Sequence, residues 1–291
     1  MKNTPLLLEG KPVADALLAG VKSQWEAFQV KQPQSNAIPG LAVVQVGSNP
    51  ASQVYVNKKA KVAKELGFHS EVHRLPAETS KEALLACLEA LNANANVHGV
   101  LLQLPLPAHL QPSEFQSVIL PEKDVDGFHP QNLGLLLAGQ TPFAVPCTPA
   151  GVMRLLAHYT IPIAGKHAVV IGRSNIVGKP MGQLLLQADA TVTICHSKTP
   201  NIEEITKQAD ILVVAIGMPQ WLKPSGVKGS SVVVDVGINR HPETQKLVGD
   251  VDFEAVAPYC QAITPVPGGI GLMTIAELMN NTWQNFVRQV G

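Results

Sequence analysis

From residue 166 to residue 236 the chain repeats one alternation: a short apolar run, a turn, then an amphipathic stretch. The runs 166–171, 191–195, 211–216 and 232–236 read as strands, and 180–187 and 202–208 as helices. Strands that are apolar throughout need cover on both faces, and strands joined through helices run parallel. The first half repeats the theme more loosely. A helix opens at Pro12, with Val13, Leu17, Val21, Trp25 and Phe28 at three- and four-residue steps. The runs 41–46, 71–75 and 97–104 read as strands. Ser52 is placed as the cap of a helix reaching Leu66, where Gly67 stops it. Thr79 and Glu82 have capping-box spacing ahead of Leu85, Leu88 and Leu91. Residues 111–149 read as loop, with one short helix at 113–119, and Thr148-Pro149 as cap and first position of the next helix. A strand at 262–265 and a helix at 274–290 close the chain.

A length of 291 residues fits two domains of ~100–200 residues each. The expectation is an α/β chain with an N-terminal domain at 1–145 and a second, parallel-sheet domain at 146–272. The final helix, 273–291, is expected to pack back on the first domain. With a formal net charge of +0, nothing calls for a nucleic-acid partner. No apolar run approaches the ~20 residues of a membrane span, and Lys2, Glu9, Lys11 and Asp15 interrupt any signal-peptide core. Cys87, Cys147, Cys195 and Cys260 form no CxxC pair and read as reduced, cytoplasmic thiols. The histidines show no ligand spacing, so no metal is expected.

The segment 169–180 runs from a strand through Gly172-Arg173-Ser174 and Val177-Gly178 into a helix. Such a turn presents backbone N–H groups and a positive helix end to a pyrophosphate. Ser174 stands where the middle glycine of GxGxxG is usual, and the surrounding strand–helix–strand spacing compensates for that departure. A site built for NAD places a carboxylate at the end of the next strand. Here that strand ends Cys195-His196-Ser197-Lys198. Arg173 and Ser197 suit a 2′-phosphate, so NADP is the expected cofactor. An ordinary strand–turn–helix without ligand is the plainer alternative.

In residues 52–64, Lys59 falls about 40° from Tyr55 at ~100° per residue, on the stripe of Val62, Ala63 and Leu66. Lys58, Lys61 and Lys64 fall on other faces. Lys59 is then either a snorkelling side chain with its ammonium in water, or an amine in a partly apolar cleft, where desolvation suits it to acid–base work. Tyr55 is either a core residue or a platform for a flat ring. Gln103 is a polar residue in an apolar run and needs a partner. Asp124 and Asp126 sit in a turn, as solvated carboxylates or as ligand contacts.

Tyr55-x-x-x-Lys59, the run from Gln103 to Pro107, Lys123-Asp124-Val125-Asp126-Gly127, Pro146-Cys147-Thr148-Pro149, the glycine turn, Asp235-Val236-Gly237-Ile238-Asn239 and the run from Thr264 to Gly271 follow one another along nearly the whole chain. Together they resemble the bifunctional methylenetetrahydrofolate dehydrogenase/cyclohydrolases. The resemblance implies a folate-binding catalytic domain, a Rossmann-like NADP domain and a cleft between them. It implies NADP-dependent oxidation of 5,10-methylenetetrahydrofolate and hydrolysis of the methenyl product to 10-formyltetrahydrofolate, feeding purine biosynthesis, in a cytoplasmic homodimer. It makes Lys59 the acid/base group of the hydrolysis, tuned by Gln103. Tyr55 lines the folate site, Asp126 binds the pterin, and Pro267, Gly268 and Gly269 also border the substrate. Thr148, Gly172, Arg173, Ser174, Val177, Gly178, Ser197, Gly217 and Ile238 are the implied cofactor contacts. A monofunctional relative, a shikimate- or amino-acid-type dehydrogenase and a non-catalytic nucleotide sensor are the alternatives. The intact Lys59–Gln103 pair disfavours the first, the Tyr55, Lys59, Gln103 and Asp126 set with the segment 265–271 disfavours the second, and a lysine on an apolar helix face disfavours the third.

Overall fold

The structure is a computed structural model that describes residues 4–291, except for the side chain of Ala51. In chain order the elements are β1 (Leu6–Leu7), α1 (Gly10–Lys31), β2 (Gly40–Val46), α2 (Pro50–Glu65), β3 (His69–Leu75), α3 (Lys81–Ala93) and β4 (Gly99–Leu102). Then come α4 (Pro112–Gln116), α5 (Pro130–Leu137), α6 (Cys147–His158), β5 (His167–Ile171), α7 (Gly178–Gln187), β6 (Thr191–Cys195), α8 (Ile202–Thr206) and β7 (Ile211–Val214). The chain ends with β8 (Val232–Asp235), the hairpin of β9 (Asn239–Arg240) and β10 (Leu247–Val248), α9 (Phe253–Val256), β11 (Ala262–Ile263) and α10 (Ile270–Val290).

Two compact units form. One comprises Ala16–Cys147 and Ile275–Gly291; the other comprises Thr148–Thr274 with the N-terminal residues through Asp15. The first holds a three-stranded sheet in the order β3-β2-β4, the second a six-stranded sheet in the order β1-β11-β8-β7-β5-β6, and every pairing in both is parallel. Strands β2, β4, β7 and β8 are buried along their whole length, as their largely apolar runs require, with Gln45 in β2 and Asp235 in β8 the buried polar exceptions. In the first unit, Leu278, Met279, Trp283 and Phe286 of α10 share a core with Val21, Trp25, Leu41, Val43 and Leu101. Trp25, Phe28, Trp283 and Phe286 stack and abut with ring centroids 5.1–6.1 Å apart. Such pairs add ~0.5–1.5 kcal/mol each beyond their buried area.

Several expectations need correction. The domain drawn as residues 1–145 loses its start: Leu6 and Leu7 pair with Ala262 and Ile263 at the edge of the larger sheet. A two-residue strand exposed on that edge carries no periodicity to read. The cap of α2 is Asn49, whose side chain accepts from the Ser52 amide at 3.1 Å, with Pro50 inside the first turn. Ser80, rather than Thr79, caps α3. Thr148 lies inside the first turn of α6 instead of capping it. The loop assigned to 111–149 contains α5, which His129 and Pro130 initiate.

Candidate functional site

The first site is built on α2 and the chain leaving β4. Among the described residues, the buried ones of α2 are Ser52, Val56, Lys59 and Ala63, continued by Leu66 at its C-cap, at steps of four and three. Lys59 therefore lies at the middle of the buried face, while Tyr55 and Val62 are half-buried at its margin. Only 8% of Lys59 is exposed, and its Nζ donates to Gln103 Oε1 at 3.0 Å. The lysine is packed into the buried face rather than extended along it, with its ammonium held by an amide. Gln103 lies just beyond β4 rather than inside it, and is half-buried. Its backbone N–H prolongs the ladder to Val44 O at 2.8 Å. Its Nε2 donates to Leu104 O at 2.7 Å, which turns Oε1 towards Lys59. The amide is thus held at both ends.

The segment 123–127 divides its work. Lys123 Nζ donates to the Leu91, Asn92 and Asn94 carbonyls and closes the C-terminal end of α3. Asp124 accepts from Gly127 N, His129 N and Asn132 Nδ2 at 2.8–3.0 Å, so it performs the turn chemistry. Val125 O accepts from Cys147 Sγ and Asn281 Nδ2. Asp126 takes no part in these turn contacts. Burial pushes its carboxyl up to about 6, against the lowering pull of the Lys59 ammonium and with a smaller upward push from Asp124. Asn132 and Asn281, absent from the sequence reading, are the side chains that hold this loop in place. Their signal was weak: an amide within a helical apolar pattern.

In the other unit, the residues assigned to a nucleotide follow the carboxyl ends of parallel strands, where open α/β sheets bind ligands. Gly172, Arg173 and Ser174 follow β5, Ser197 follows β6, Gly217 follows β7, and Ile238 follows β8. Pro267, Gly268 and Gly269 link β11 to α10, and Thr148 meets Thr274 with their hydroxyls 3.0 Å apart. Ser174 Oγ accepts from Val177 N at 3.2 Å and Gly178 N at 3.3 Å, and so shapes the turn into α7. A Cβ at Gly178 would lie 2.2 Å from the Gly172 carbonyl oxygen, so only glycine lets the helix start this close to the strand. Ile171 and Cys195 are paired across β5 and β6. Arg173 and Ser197, each two residues further on, are both exposed at the ends of adjacent strands.

Residues 8–126 match the catalytic domain of the tetrahydrofolate dehydrogenase/cyclohydrolase family, and residues 146–290 match that family's NAD(P)-binding domain. The chain belongs to this family. A bifunctional protein FolD of Chlamydia muridarum is 50% identical over 291 residues, which cover 97% of this chain and 99% of that one. The fold is also that of the bifunctional FolD dehydrogenase/cyclohydrolase of Campylobacter jejuni, at a TM-score of 0.93 and 46% identity over 98% and 99% of the two chains. The Trypanosoma brucei FolD, solved with NADP and an inhibitor, matches at a TM-score of 0.93 and 37% identity over 98% of each chain. Within the family's domains, the Lys59–Gln103 pair and Asp126 fall in the catalytic one and the glycine turn in the NAD(P)-binding one.

Proposed function

We propose that this family member is a bifunctional enzyme of tetrahydrofolate one-carbon interconversion. It oxidises 5,10-methylenetetrahydrofolate to the 5,10-methenyl cation with NADP⁺ and hydrolyses the cation to 10-formyltetrahydrofolate. One observation carries the hydrolytic half: a buried lysine whose Nζ is held at 3.0 Å by an amide that is itself fixed. The same pair speaks against a monofunctional dehydrogenase.

Each step follows from residue chemistry. Bound NADP⁺ supplies the hydride acceptor. Arg173 and Ser197 take its 2′-phosphate, as charge-assisted and neutral donors. Gly172, Ser174, Val177 and Gly178 form the turn that takes the pyrophosphate at the start of α7, with the Val177 and Gly178 amides held by Ser174 Oγ, and Thr148, Gly217 and Ile238 contact the remainder. Tyr55 offers the pterin an aromatic face, Asp126 accepts its N–H donors, and Pro267, Gly268 and Gly269 add backbone contacts. In hydrolysis, water adds to the methenyl carbon and the bond to one folate nitrogen breaks. One water proton goes to the departing nitrogen and the other to solvent. Lys59 moves the proton between them while Gln103 keeps the amine in line. Purified protein given 5,10-methenyltetrahydrofolate without nucleotide should clear the methenyl absorbance faster than buffer does. Decay at the buffer rate would remove the hydrolytic half.

Asp126 gives a pH signature. Burial pushes its carboxyl up to about 6, and protonation turns one of its two acceptor oxygens into a donor that would confront a pterin N–H. The Kd of a stable pterin such as folate should therefore rise about tenfold per unit as the pH falls below that value. Asp126→Asn should weaken binding and flatten the profile. A wild-type Kd that is level from pH 7 to pH 5 would take Asp126 out of pterin recognition.

We further propose a cytoplasmic homodimer serving purine biosynthesis. All four cysteines are free, as in a reducing compartment. Strand β3 is an open edge of its sheet, whereas β4 meets Asp124 through an isolated bridge at Val100. On β3, Ser70 Oγ, Glu71 Oε1 and His73 Nε2 are buried without a hydrogen-bond partner, the last two 3.4 Å apart. Buried polar atoms seldom go unpaired, and a second copy along this edge would supply donors and acceptors. Sedimentation should give twice the 31.0 kDa chain mass. A monomer at micromolar concentration would contradict the dimer.

A further inference from the structure

The nucleotide unit contains a carboxylate that none of these roles uses. Asp250 is 0% exposed and accepts four hydrogen bonds. Its Oδ2 takes Ile216 N at 2.7 Å and Gly217 N at 3.0 Å; its Oδ1 takes Met218 N at 2.9 Å and Asn239 Nδ2 at 2.8 Å. Three consecutive amides converging on one carboxylate set the path of the chain leaving β7, including Gly217 at φ +67°. Asn239 ties the chain leaving β8 to the same anchor. Asp235 grips that anchor from behind, accepting from Asp250 N, Gly237 N and Val251 N, each at 2.9 Å. A Cβ on Gly237 would sit 2.3 Å from the Asp250 carboxyl carbon, so the approach depends on its absence.

Planar trans peptides point N–H and C=O in opposite directions. With the amides of Gly217 and Met218 turned to Asp250, the carbonyls of Ile216 and Gly217 face away from it. These are oriented acceptors at the carboxyl end of a central strand, suited to the carboxamide N–H donors of a nicotinamide. We propose that Asp250 is a positioning residue for the nicotinamide half of the cofactor, acting through the 216–218 and 237–239 loops. The inference rests on Gly217 and Ile238 being cofactor contacts and goes further by naming the group that sets them.

Half-molecule probes separate positioning from general stability. Asparagine offers one acceptor oxygen, and its NH₂ would confront donors. Asp250→Asn should therefore raise the Kd and KM for NADP⁺ about tenfold or more. Adenosine 2′,5′-bisphosphate, which reaches only the Arg173 and Ser197 end, should bind as it does to wild type. Asn239→Ala, which removes a single donor, should shift NADP⁺ in the same direction by less, and decides the matter alone if Asp250→Asn does not fold. Equal weakening of both probes, or unchanged NADP⁺ binding, overturns the proposal. Wild-type protein that binds neither probe would instead remove the cofactor reading beneath it.

Discussion

Lys59→Met leaves added 5,10-methenyltetrahydrofolate decaying at close to the buffer rate. Methionine keeps a flexible stem of similar length in the buried stripe of α2, but it can neither hold nor pass a proton. A positioned acid–base group is worth ~10²–10⁴-fold, or roughly 3–5 kcal/mol of barrier. The substitution also strips Gln103 Oε1 of the donor it meets at 3.0 Å. Leaving that half-buried acceptor unpaired costs about 1–3 kcal/mol of stability. A lower Tm should therefore accompany the loss, while the protein remains folded and binds NADP⁺. The check is stopped-flow or steady-state loss of methenyl absorbance, with the buffer rate subtracted. Wild-type hydrolysis in this variant would place the proton-transfer group elsewhere.

Arg173→Ala lowers kcat/KM for NADP⁺ about 10- to 100-fold and leaves NAD⁺ nearly unchanged, because a charge-assisted contact to phosphate is worth ~1.5–3 kcal/mol. NAD⁺ lacks the 2′-phosphate and has nothing to lose at this position. The end of β6 carries Ser197 and Lys198 and no carboxylate, so no ribose-gripping group compensates. Initial rates with both nucleotides across a range of concentrations measure the effect. An unchanged preference would shift the recognition to Ser197 or Lys198. An equal fall with both nucleotides would mean that the turn, rather than the phosphate contact, had been damaged.

Much of the fold is legible because its central strands are buried on both faces and its turns are marked by glycine and proline. The strand expected at 191–195 is β6 to the residue, and the helix expected at 180–187 begins two residues earlier, as α7. Elements without periodicity escaped notice. Strand β1 is two residues long, and the β9–β10 hairpin has two residues per strand. In the catalytic unit, Lys59 could be singled out because a charge on an apolar face conflicts with its surroundings. Its true centrality could not, because the stripe was drawn from Tyr55 and omitted Val56. Gln103 announced itself as a polar residue in an apolar run, but only the folded sheet brings it to Lys59, 44 positions away in sequence. Asp250 was invisible for the same reason: its backbone donors lie 32–34 residues earlier, in a stretch with no charge of its own. Long-range hydrogen bonding leaves little local trace, whereas hydrophobic period and turn chemistry leave a great deal.

The most direct test follows both halves of the reaction in one cuvette. Purified wild-type protein is mixed with 5,10-methylenetetrahydrofolate and NADP⁺, and the NADPH and methenyl absorbances are recorded together. NADPH should accumulate in step with substrate consumed, while the methenyl signal rises less than NADPH and then decays as 10-formyltetrahydrofolate forms. Methenyl matching NADPH mole for mole, with decay only at the buffer rate, would contradict bifunctionality, and no NADPH at all would contradict the account as a whole.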